Sequence, residues 1–143
     1  MNATIPKFGY PATLIRDYGH WVVLLRPSQP TLGSLVVAAK HDATAFSALP
    51  AEAFAELQTV VAEVEAALAA AVRHERINWL MLMMVDPHVH FHVLPRYDGE
   101  RRWGELTVAD AGWPKLPDLA TAATLEEAAI AAMRDWLKGY FPA

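Results

Sequence analysis

Short apolar segments near the start of the chain predict three β-strands. Residues 12–17 ("ATLIRD") and 20–26 ("HWVVLLR") are rich in β-branched and aromatic side chains. The tripeptide "DYG" lies between their apolar parts, which is typical of a β-hairpin. Residues 26–33 ("RPSQPTLG") contain two prolines and a glycine and predict a loop. Residues 34–40 ("SLVVAAK") then predict a third strand, which ends at His41.

A long amphipathic helix is predicted to follow, beginning at Pro50. Proline suits a helix start, because its missing N–H would have no partner there. Glu52 and Glu56 come early, and Arg73 and Arg76 lie at or just beyond the end, which matches the helix dipole. One apolar stripe recurs at intervals of three or four residues: Phe54, Leu57, Val61, Val64, Leu68 and Val72.

The next segment, residues 77–85 ("INWLMLMMV"), contains seven consecutive apolar residues. Such a run favours a strand that is buried on both faces. "DP" at 86–87 then predicts a sharp corner, and residues 88–94 ("HVHFHVL") predict the following strand. Pro95 is expected to end that strand or to place it at a sheet edge.

The remainder is predicted to be mostly loop up to residue 123 and then a second long helix. "TLEE" at 124–127 fits a capping box in which Thr124 pairs with Glu127. The apolar stripe of this helix is Leu125, Ala129, Met133, Trp136 and Tyr140. Hairpins outnumber βαβ units in the predicted order, so the fold class is α+β with a mainly antiparallel sheet.

Composition and charge narrow the class of protein. The chain has 143 residues, of which 54% are hydrophobic and 20% charged, enough for one domain with a substantial core. A net charge of −4 argues against nucleic acid as a partner. No cysteine is present, which excludes thiolate metal sites and favours a cytoplasmic location. The seven-residue apolar run is far shorter than the about 20 residues that a membrane span requires.

The most informative feature is the spacing of three of the six histidines, His88, His90 and His92. On a strand these side chains share one face, roughly 6.5–7 Å apart, while the apolar residues between them share the other. Three interpretations fit this pattern: a solvated strand face, a zinc site, or attack by a neutral imidazole on phosphorus. Asp86 and Asp98 lack a spacing typical of metal ligands, so neither a metal nor another cofactor is predicted.

Two quoted motifs carry a resemblance to a known family. "HVHFHV", followed by "LPRY", resembles the signature of the histidine triad (HIT) nucleotide hydrolases and transferases. Upstream, "SLVVAAKH" resembles the strand of that family that ends in Lys-His before a long helix. The resemblance covers about residues 12–97 in order and spacing. It implies a single α+β domain over residues 1–143, with a five-stranded antiparallel sheet and a C-terminal loop and helix from residue 98.

The resemblance also implies an activity. His90 would attack the α-phosphorus of a nucleotide to form a covalent intermediate that water hydrolyses, and His92 would contact the phosphate and assist the leaving group. His88 and His41 would support the nucleophilic ring. A homodimer, formed through helix and strand pairing, is a further implication. The expected substrates are a nucleoside phosphoramidate or a dinucleoside polyphosphate.

The chain departs from the family pattern next to the triad. Met83 and Met84 occupy positions where the family has glycine and an amide residue that meet the phosphate. Asn78 matches a family asparagine, and Arg26 can meet a phosphate or carboxylate. Arg96 lies an even number of positions after His92, so on a continuous strand it would share the face of the three histidines. These three residues are the predicted substrate contacts. The departures motivate an alternative, a dimeric nucleotide-binding module without efficient turnover.

Smaller assignments complete the prediction. An alternative role for His41 is to cap the helix that follows it. His20 and His74 are expected to be ordinary surface residues. Trp103 and Trp113 are assigned to loop packing rather than to stacking on a base.

Overall fold

The computed structural model describes residues 2–143 and has one five-stranded antiparallel sheet, ordered β1-β2-β4-β6-β5. The elements in chain order are α1 (Thr4–Lys7), β1 (Leu14–Asp17), β2 (Trp21–Leu25), β3 (Ser28–Gln29), β4 (Leu35–Ala39), a 3₁₀ turn (Phe46–Ala48), α2 (Ala51–Val72), β5 (Arg76–Leu80), β6 (His90–Arg96), β7 (Glu100–Trp103), β8 (Leu106–Ala109), β9 (Ala123–Thr124) and α3 (Glu127–Lys138). The predicted fold class, the first hairpin, the third strand and both long helices are confirmed.

The long helix α2 packs on one face of the sheet, and of the predicted stripe only the C-terminal half, Val64, Leu68 and Val72, is buried. Phe54 is 40% exposed, and Leu57 and Val61 are only half-buried. The buried residues of the helix are Ala53, Val60, Val64, Ala67, Leu68 and Val72. The prediction followed large side chains, whereas the helix meets the sheet partly through alanines, which allow close approach. The indole N–H of Trp21, for example, donates to the carbonyl of Ala53 at 2.8 Å.

The prediction that residues 77–85 form a strand buried on both faces is wrong. β5 ends at Leu80 and lies at the edge of the sheet, so one side of the strand has no neighbouring strand. Residues 81–87 form a loop, in which Met83 adopts a positive φ of 50°. Met84 and Val85 are 82% and 86% exposed. The apolar run therefore continues from a strand into a surface loop.

Pro95 neither ends β6 early nor marks an edge. β6 lies between β4 and β5, and Pro95 pairs with Ile77 of β5. On the other side, pairing with β4 stops at Val93 opposite Leu35. Proline is tolerated here because the strand has no β4 partner at that position.

The C-terminal region holds more regular structure than predicted. β7 and β8 form a hairpin that turns at Gly104, whose φ is 58°. The expected capping box is also wrong: Thr124 pairs with Ser28 in a two-stranded ladder, and Glu126 precedes α3 without a side-chain cap bond. α3 packs against β1 and β2 through the buried Met133 and Leu137.

No helix in the described chain is both long and apolar enough to span a bilayer.

Candidate active site

Two of the three histidines lie on β6, on the sheet face opposite α2. His90 pairs with Ala38 and His92 with Val36 of β4. Their ring centroids are 5.0 Å apart at an interplanar angle of 82°. His90 is 2% exposed and His92 is 8% exposed. Strand alternation thus brings two imidazoles edge to face on a nearly buried surface, which we call the triad face.

The ring of His90 is held in one tautomer. Its Nδ1 lies 2.7 Å from the backbone carbonyl oxygen of His88, and a carbonyl can only accept. Nδ1 therefore carries the hydrogen, and Nε2 of the neutral ring carries the lone pair. This is the state in which an imidazole attacks an electrophile.

His88 precedes β6, and its side chain contacts the N-terminal arm. Its Nδ1 accepts a hydrogen bond from the backbone N–H of Ala3 at 3.0 Å. The support that His88 gives to His90 therefore comes from its backbone carbonyl, and its imidazole binds the chain terminus instead.

The N-terminal arm, residues 2–10, covers part of the triad face, which sequence reasoning missed. Asn2 is fully buried, and its amide donates to the carbonyls of Ala39 and Val89, both at 2.9 Å. Ile5 and Phe8 pack on a small apolar cluster formed by Val22, Leu24, Val36 and Ala38. Phe8 also meets His92 edge to face at 5.7 Å. The apolar residues Ile5 and Phe8, three positions apart, were the available signal.

His41 has a different partner from the one predicted. Its Nε2 lies 3.0 Å from Nδ1 of His20, and the two rings stack at 5.3 Å. Among residues 2–143, no hydrogen bond or ring contact joins His41 to a triad histidine. The geometry therefore gives no support to its assigned role, and His20 is a half-buried partner rather than an isolated surface residue.

A cavity of about 350 Å³ opens in front of His90 and His92. Two cationic side chains line it, Lys7 and Arg26. Lys7 Nζ contacts both carboxylate oxygens of Asp86, at 2.7 and 2.8 Å. The other lining residues are Phe8, Leu82, Met83, Met84, Val85 and Leu119. The site thus places an imidazole with a free lone pair beside Arg26 and the Lys7–Asp86 ion pair.

Arg26 is the cation with unused hydrogen-bonding capacity. Its Nη1 donates to the carbonyl of Ser28 at 2.8 Å, while its buried Nε has no partner in the described part of the chain. Burial lowers the pKa of Arg26, but an arginine stays charged at neutral pH. A buried donor without a partner costs free energy, which an anionic ligand in the cavity would recover.

His92 is neutral at physiological pH. Burial, aided by the positive charge of Arg26 and then by His90, lowers its pKa to about 4. Its Nδ1 is buried and makes no hydrogen bond within residues 2–143. His92 is therefore a neutral polar group that lines the cavity beside His90.

This pKa predicts a pH effect on stability. Between pH 6.5 and 4 the unfolded chain binds a proton at His92 that the folded chain does not, so stability falls as the pH falls through this window. This loss of stability is complete once the pH lies below the folded-state pKa of about 4. Urea unfolding at several pH values should show that the free energy of unfolding falls less steeply with decreasing pH in His92→Gln than in the wild type. Equal pH slopes in the two proteins would contradict the low pKa.

Asn78 and Arg96 lie on the triad face but line a different cavity. Arg96 is 4% exposed and forms a two-point ion pair with Asp110, with Nε–Oδ2 at 2.7 Å and Nη2–Oδ1 at 3.1 Å. Its Nη1 donates to Oδ1 of Asn78 at 2.8 Å. The guanidinium is thus occupied by protein groups, whereas no partner for the amide nitrogen of Asn78 is found in residues 2–143.

Within residues 2–143, no group of three or more His, Cys, Asp or Glu side chains has an arrangement that could hold a metal ion.

Comparison with known proteins agrees with this fold and histidine arrangement. The model of the HIT domain matches residues 10–99, so the chain belongs to the histidine triad (HIT) family. The members of this family include nucleotide-binding proteins, hydrolases and transferases, and no curated protein matches the chain.

Solved structures show the same fold at low identity. A histidine triad protein from Sinorhizobium meliloti is 19% identical, with a TM-score of 0.77 over 99% of this chain and 96% of its own. One from Bradyrhizobium japonicum is 16% identical, with a TM-score of 0.71 over 99% and 97%. A hypothetical histidine triad nucleotide-binding protein from Sulfolobus tokodaii is 17% identical, with a TM-score of 0.68 over 90% and 82%.

Proposed function

We propose that this protein is a hydrolase or transferase that cleaves phosphoanhydride or phosphoramidate bonds of nucleotides through a nucleotidyl-histidine intermediate on His90. The observation that carries the proposal is the hydrogen bond from His90 Nδ1 to the His88 carbonyl. It leaves Nε2 with a free lone pair beside a cavity lined by Arg26 and by the Lys7–Asp86 ion pair. The name of the Sulfolobus tokodaii relative, a nucleotide-binding protein, is in line with such a substrate.

The chemistry follows from this geometry. Nε2 of His90 attacks the α-phosphorus, an N–P bond forms, and the P–O or P–N bond to the leaving group breaks with its electron pair. The His88 carbonyl stabilises the positive charge that develops on the ring. Water then attacks the same phosphorus, the N–P bond breaks, and the nucleotide leaves as a monophosphate.

His92 has a neutral starting state in this scheme and is proposed to contact the phosphoryl group. The negative charge of a phosphoryl group next to His92 raises the pKa of His92, because it favours the charged imidazole. Substrate binding would thus recruit the proton that the leaving group takes. Burial and the charge of Arg26 oppose that proton when no phosphoryl group is bound.

Arg26 and Lys7 are proposed to supply the phosphate contacts that Met83 and Met84 cannot. Both cations line the cavity of His90 and His92, and Arg26 has an unpaired Nε donor. Arginine presents several donors in a fixed plane, which suits the oxygens of a phosphoryl group. We therefore assign Arg26 to binding of the phosphate of the substrate rather than of a carboxylate.

A second candidate is a nucleotide-binding module without efficient turnover. It is favoured by Met83 and Met84, which lie where family members have glycine and an amide residue and which offer no side-chain donor for a phosphate. This candidate and the enzyme make the same contacts with a ligand. They differ in whether His90 becomes covalently modified.

The test is a turnover assay on purified, chelator-treated protein with adenosine and guanosine phosphoramidates and with diadenosine polyphosphates. The enzyme should release nucleoside monophosphate in the presence of the chelator. Tight binding of AMP without release of any product would instead support the binding module.

A homodimer is proposed on structural grounds as well. Phe54, Leu57 and Val61 form an apolar strip on the outer side of α2, and β5 is an open edge strand. Exposed apolar strips of this kind mark protein contacts. Sedimentation at micromolar concentration should show a dimer, and Phe54→Glu should shift it to monomer. A wild-type monomer would refute the proposal.

A further inference from the structure

The chain leaves the regular strand pairing just before His90. Ala38 of β4 pairs with His90, so Ala39 and Val89 face each other one step farther along. At a hydrogen-bonded position of an antiparallel ladder, the two facing residues exchange two backbone hydrogen bonds. Only one forms here, from the Ala39 N–H to the Val89 carbonyl at 3.1 Å. The Val89 N–H donates instead to the carbonyl of Ala43 at 3.3 Å, so the Ala39 carbonyl lacks the donor that a regular ladder would provide.

This departure from regular pairing directs the His88 carbonyl toward the ring of His90. In a regular strand the carbonyls point sideways to neighbouring strands, whereas the side chains stand on the faces of the sheet. Residues 88 and 89 instead form a bend, and the His88 carbonyl oxygen lies 2.7 Å from Nδ1 of His90. The bend therefore sets the tautomer of the proposed nucleophile.

Asn2 of the N-terminal arm supplies the hydrogen bond that the ladder lacks at the bend. Its side-chain nitrogen donates to the carbonyls of Ala39 and Val89, both at 2.9 Å. Its Oδ1 accepts from the backbone N–H of Thr4 at 2.9 Å. These partners fix the orientation of the amide, because carbonyls only accept and an N–H only donates. Asn2 is fully buried, and a buried carbonyl without a partner costs free energy, so the amide stabilises the bend.

The next residue of the arm, Ala3, restrains the same bend. Its backbone N–H donates to Nδ1 of the His88 ring at 3.0 Å. His88 is thus bound to the arm through its ring and to His90 through its carbonyl. Two consecutive residues of the arm therefore bind the two residues of the bend.

We propose that Asn2 is a positioning residue for His90. It holds the bend so that the His88 carbonyl keeps the ring in the Nδ1–H tautomer, with Nε2 free to attack. The ring nitrogen that carries the hydrogen is set by the hydrogen bonds of the ring, so a displaced carbonyl admits the Nε2–H tautomer. That tautomer has no lone pair at the attacking nitrogen. The inference rests on the proposed function for the attack itself, whereas the tautomer is measurable without a substrate.

The first measurement is the tautomer of His90 in Asn2→Asp. Aspartate keeps the size of the side chain and an acceptor for the Thr4 N–H, but it places an oxygen against the two carbonyls. Ring ¹⁵N chemical shifts at alkaline pH, assigned with His90→Gln, should show a protonated Nδ1 and an unprotonated Nε2 in the wild type. In Asn2→Asp the Nε2–H form should also be populated. Unchanged shifts in the folded variant would overturn the proposal.

The second measurement is steady-state turnover of Asn2→Asp and Asn2→Ala. Their kcat should fall about 10–100-fold, as is typical when a group that orients a reacting residue is lost, while KM changes little. Thr4→Val is the matched control from the same arm. The buried hydroxyl of Thr4 has no hydrogen-bond partner in the described part of the chain, so this change removes no bond and should leave kcat at the wild-type value. A raised KM with an unchanged kcat would mean that Asn2 acts only on substrate binding, which contradicts the proposal.

Failure of this proposal is distinct from failure of the proposed function. Should the wild type cleave no substrate, the proposed function fails, and the ¹⁵N shifts alone decide whether Asn2 sets the tautomer. A lower kcat with an unchanged tautomer would overturn the positioning role while leaving the enzyme intact. Circular dichroism checks that each variant is folded, and Asn2→Ala, which introduces no charge, replaces Asn2→Asp in the ¹⁵N measurement if the latter does not fold.

Discussion

His90→Ala should remove nearly all turnover and leave the fold intact. Without Nε2 there is no covalent route, so the deficit should be several orders of magnitude in kcat/KM. The side chain lies on the triad face rather than in the core beneath α2, so its truncation should affect stability much less than activity. Steady-state assays on the folded variant, with its circular dichroism spectrum compared to the wild type, measure both effects.

Two further measurements locate the covalent bond. Rapid quench of the wild type with labelled nucleotide should trap an acid-labile, base-stable adduct on His90. His90→Gly should regain part of its activity with added imidazole, which can enter the vacated space. The control from the opposite face is Phe91→Ala: Phe91 packs against Trp21 and Trp79, so this variant should lose stability while its folded fraction stays active. An adduct on His88 or His92 would sink the assignment.

Asp110→Ala should be among the most destabilising single substitutions in the chain. It leaves the guanidinium of Arg96, 4% exposed, without its carboxylate partner, and it removes the acceptor of the Tyr97 backbone N–H. Breaking one side of a buried ion pair typically costs about 3–5 kcal/mol. The free energy of unfolding, measured by urea titration, should fall by this amount.

Control variants distinguish the stability cost of breaking the ion pair from the cost of removing any carboxylate. Asp98→Ala changes an exposed acidic residue in the same region and should cost no more than about 0.5 kcal/mol. The double variant Arg96→Met/Asp110→Leu removes both charges and should recover part of the lost stability. A loss below about 1 kcal/mol for Asp110→Ala would show that Arg96 finds another partner or water.

The placement of His90 and His92 could be predicted from sequence because strand alternation has a fixed period. Once residues 88–94 are assigned to a strand, two imidazoles must share a face whatever the rest of the chain does. The antiparallel sheet followed in the same way from short β-branched segments with turn residues between them. These are local rules, and local rules are what a sequence displays directly.

The errors arise where tertiary contacts decide. The stripe of α2 was only partly correct, because Ala53 and Ala67, which pack on the sheet, are weak markers of burial in a sequence rich in alanine. The pairing of His41 with His20 depends on the register that sets Trp21 opposite Ala39, and no local pattern reports that register. The cavity lined by Asn78 and Arg96 depends likewise on a loop that lies more than 30 residues from Asn78 along the chain.

The N-terminal arm couples the affinity of the site for a ligand to the docking of the arm on the triad face. The Asn2 side chain binds the carbonyl of Ala39, at the end of β4, and that of Val89, just before β6. The backbone N–H of Ala3 binds His88, and Phe8 lies against His92. Undocking of the arm would uncover the apolar cluster and free the His88 ring. A ligand that contacts Lys7 or Phe8 binds fully only to molecules whose arm is docked, so its apparent affinity falls in proportion to the docked fraction. Binding of such a ligand must in turn stabilise the docked arm.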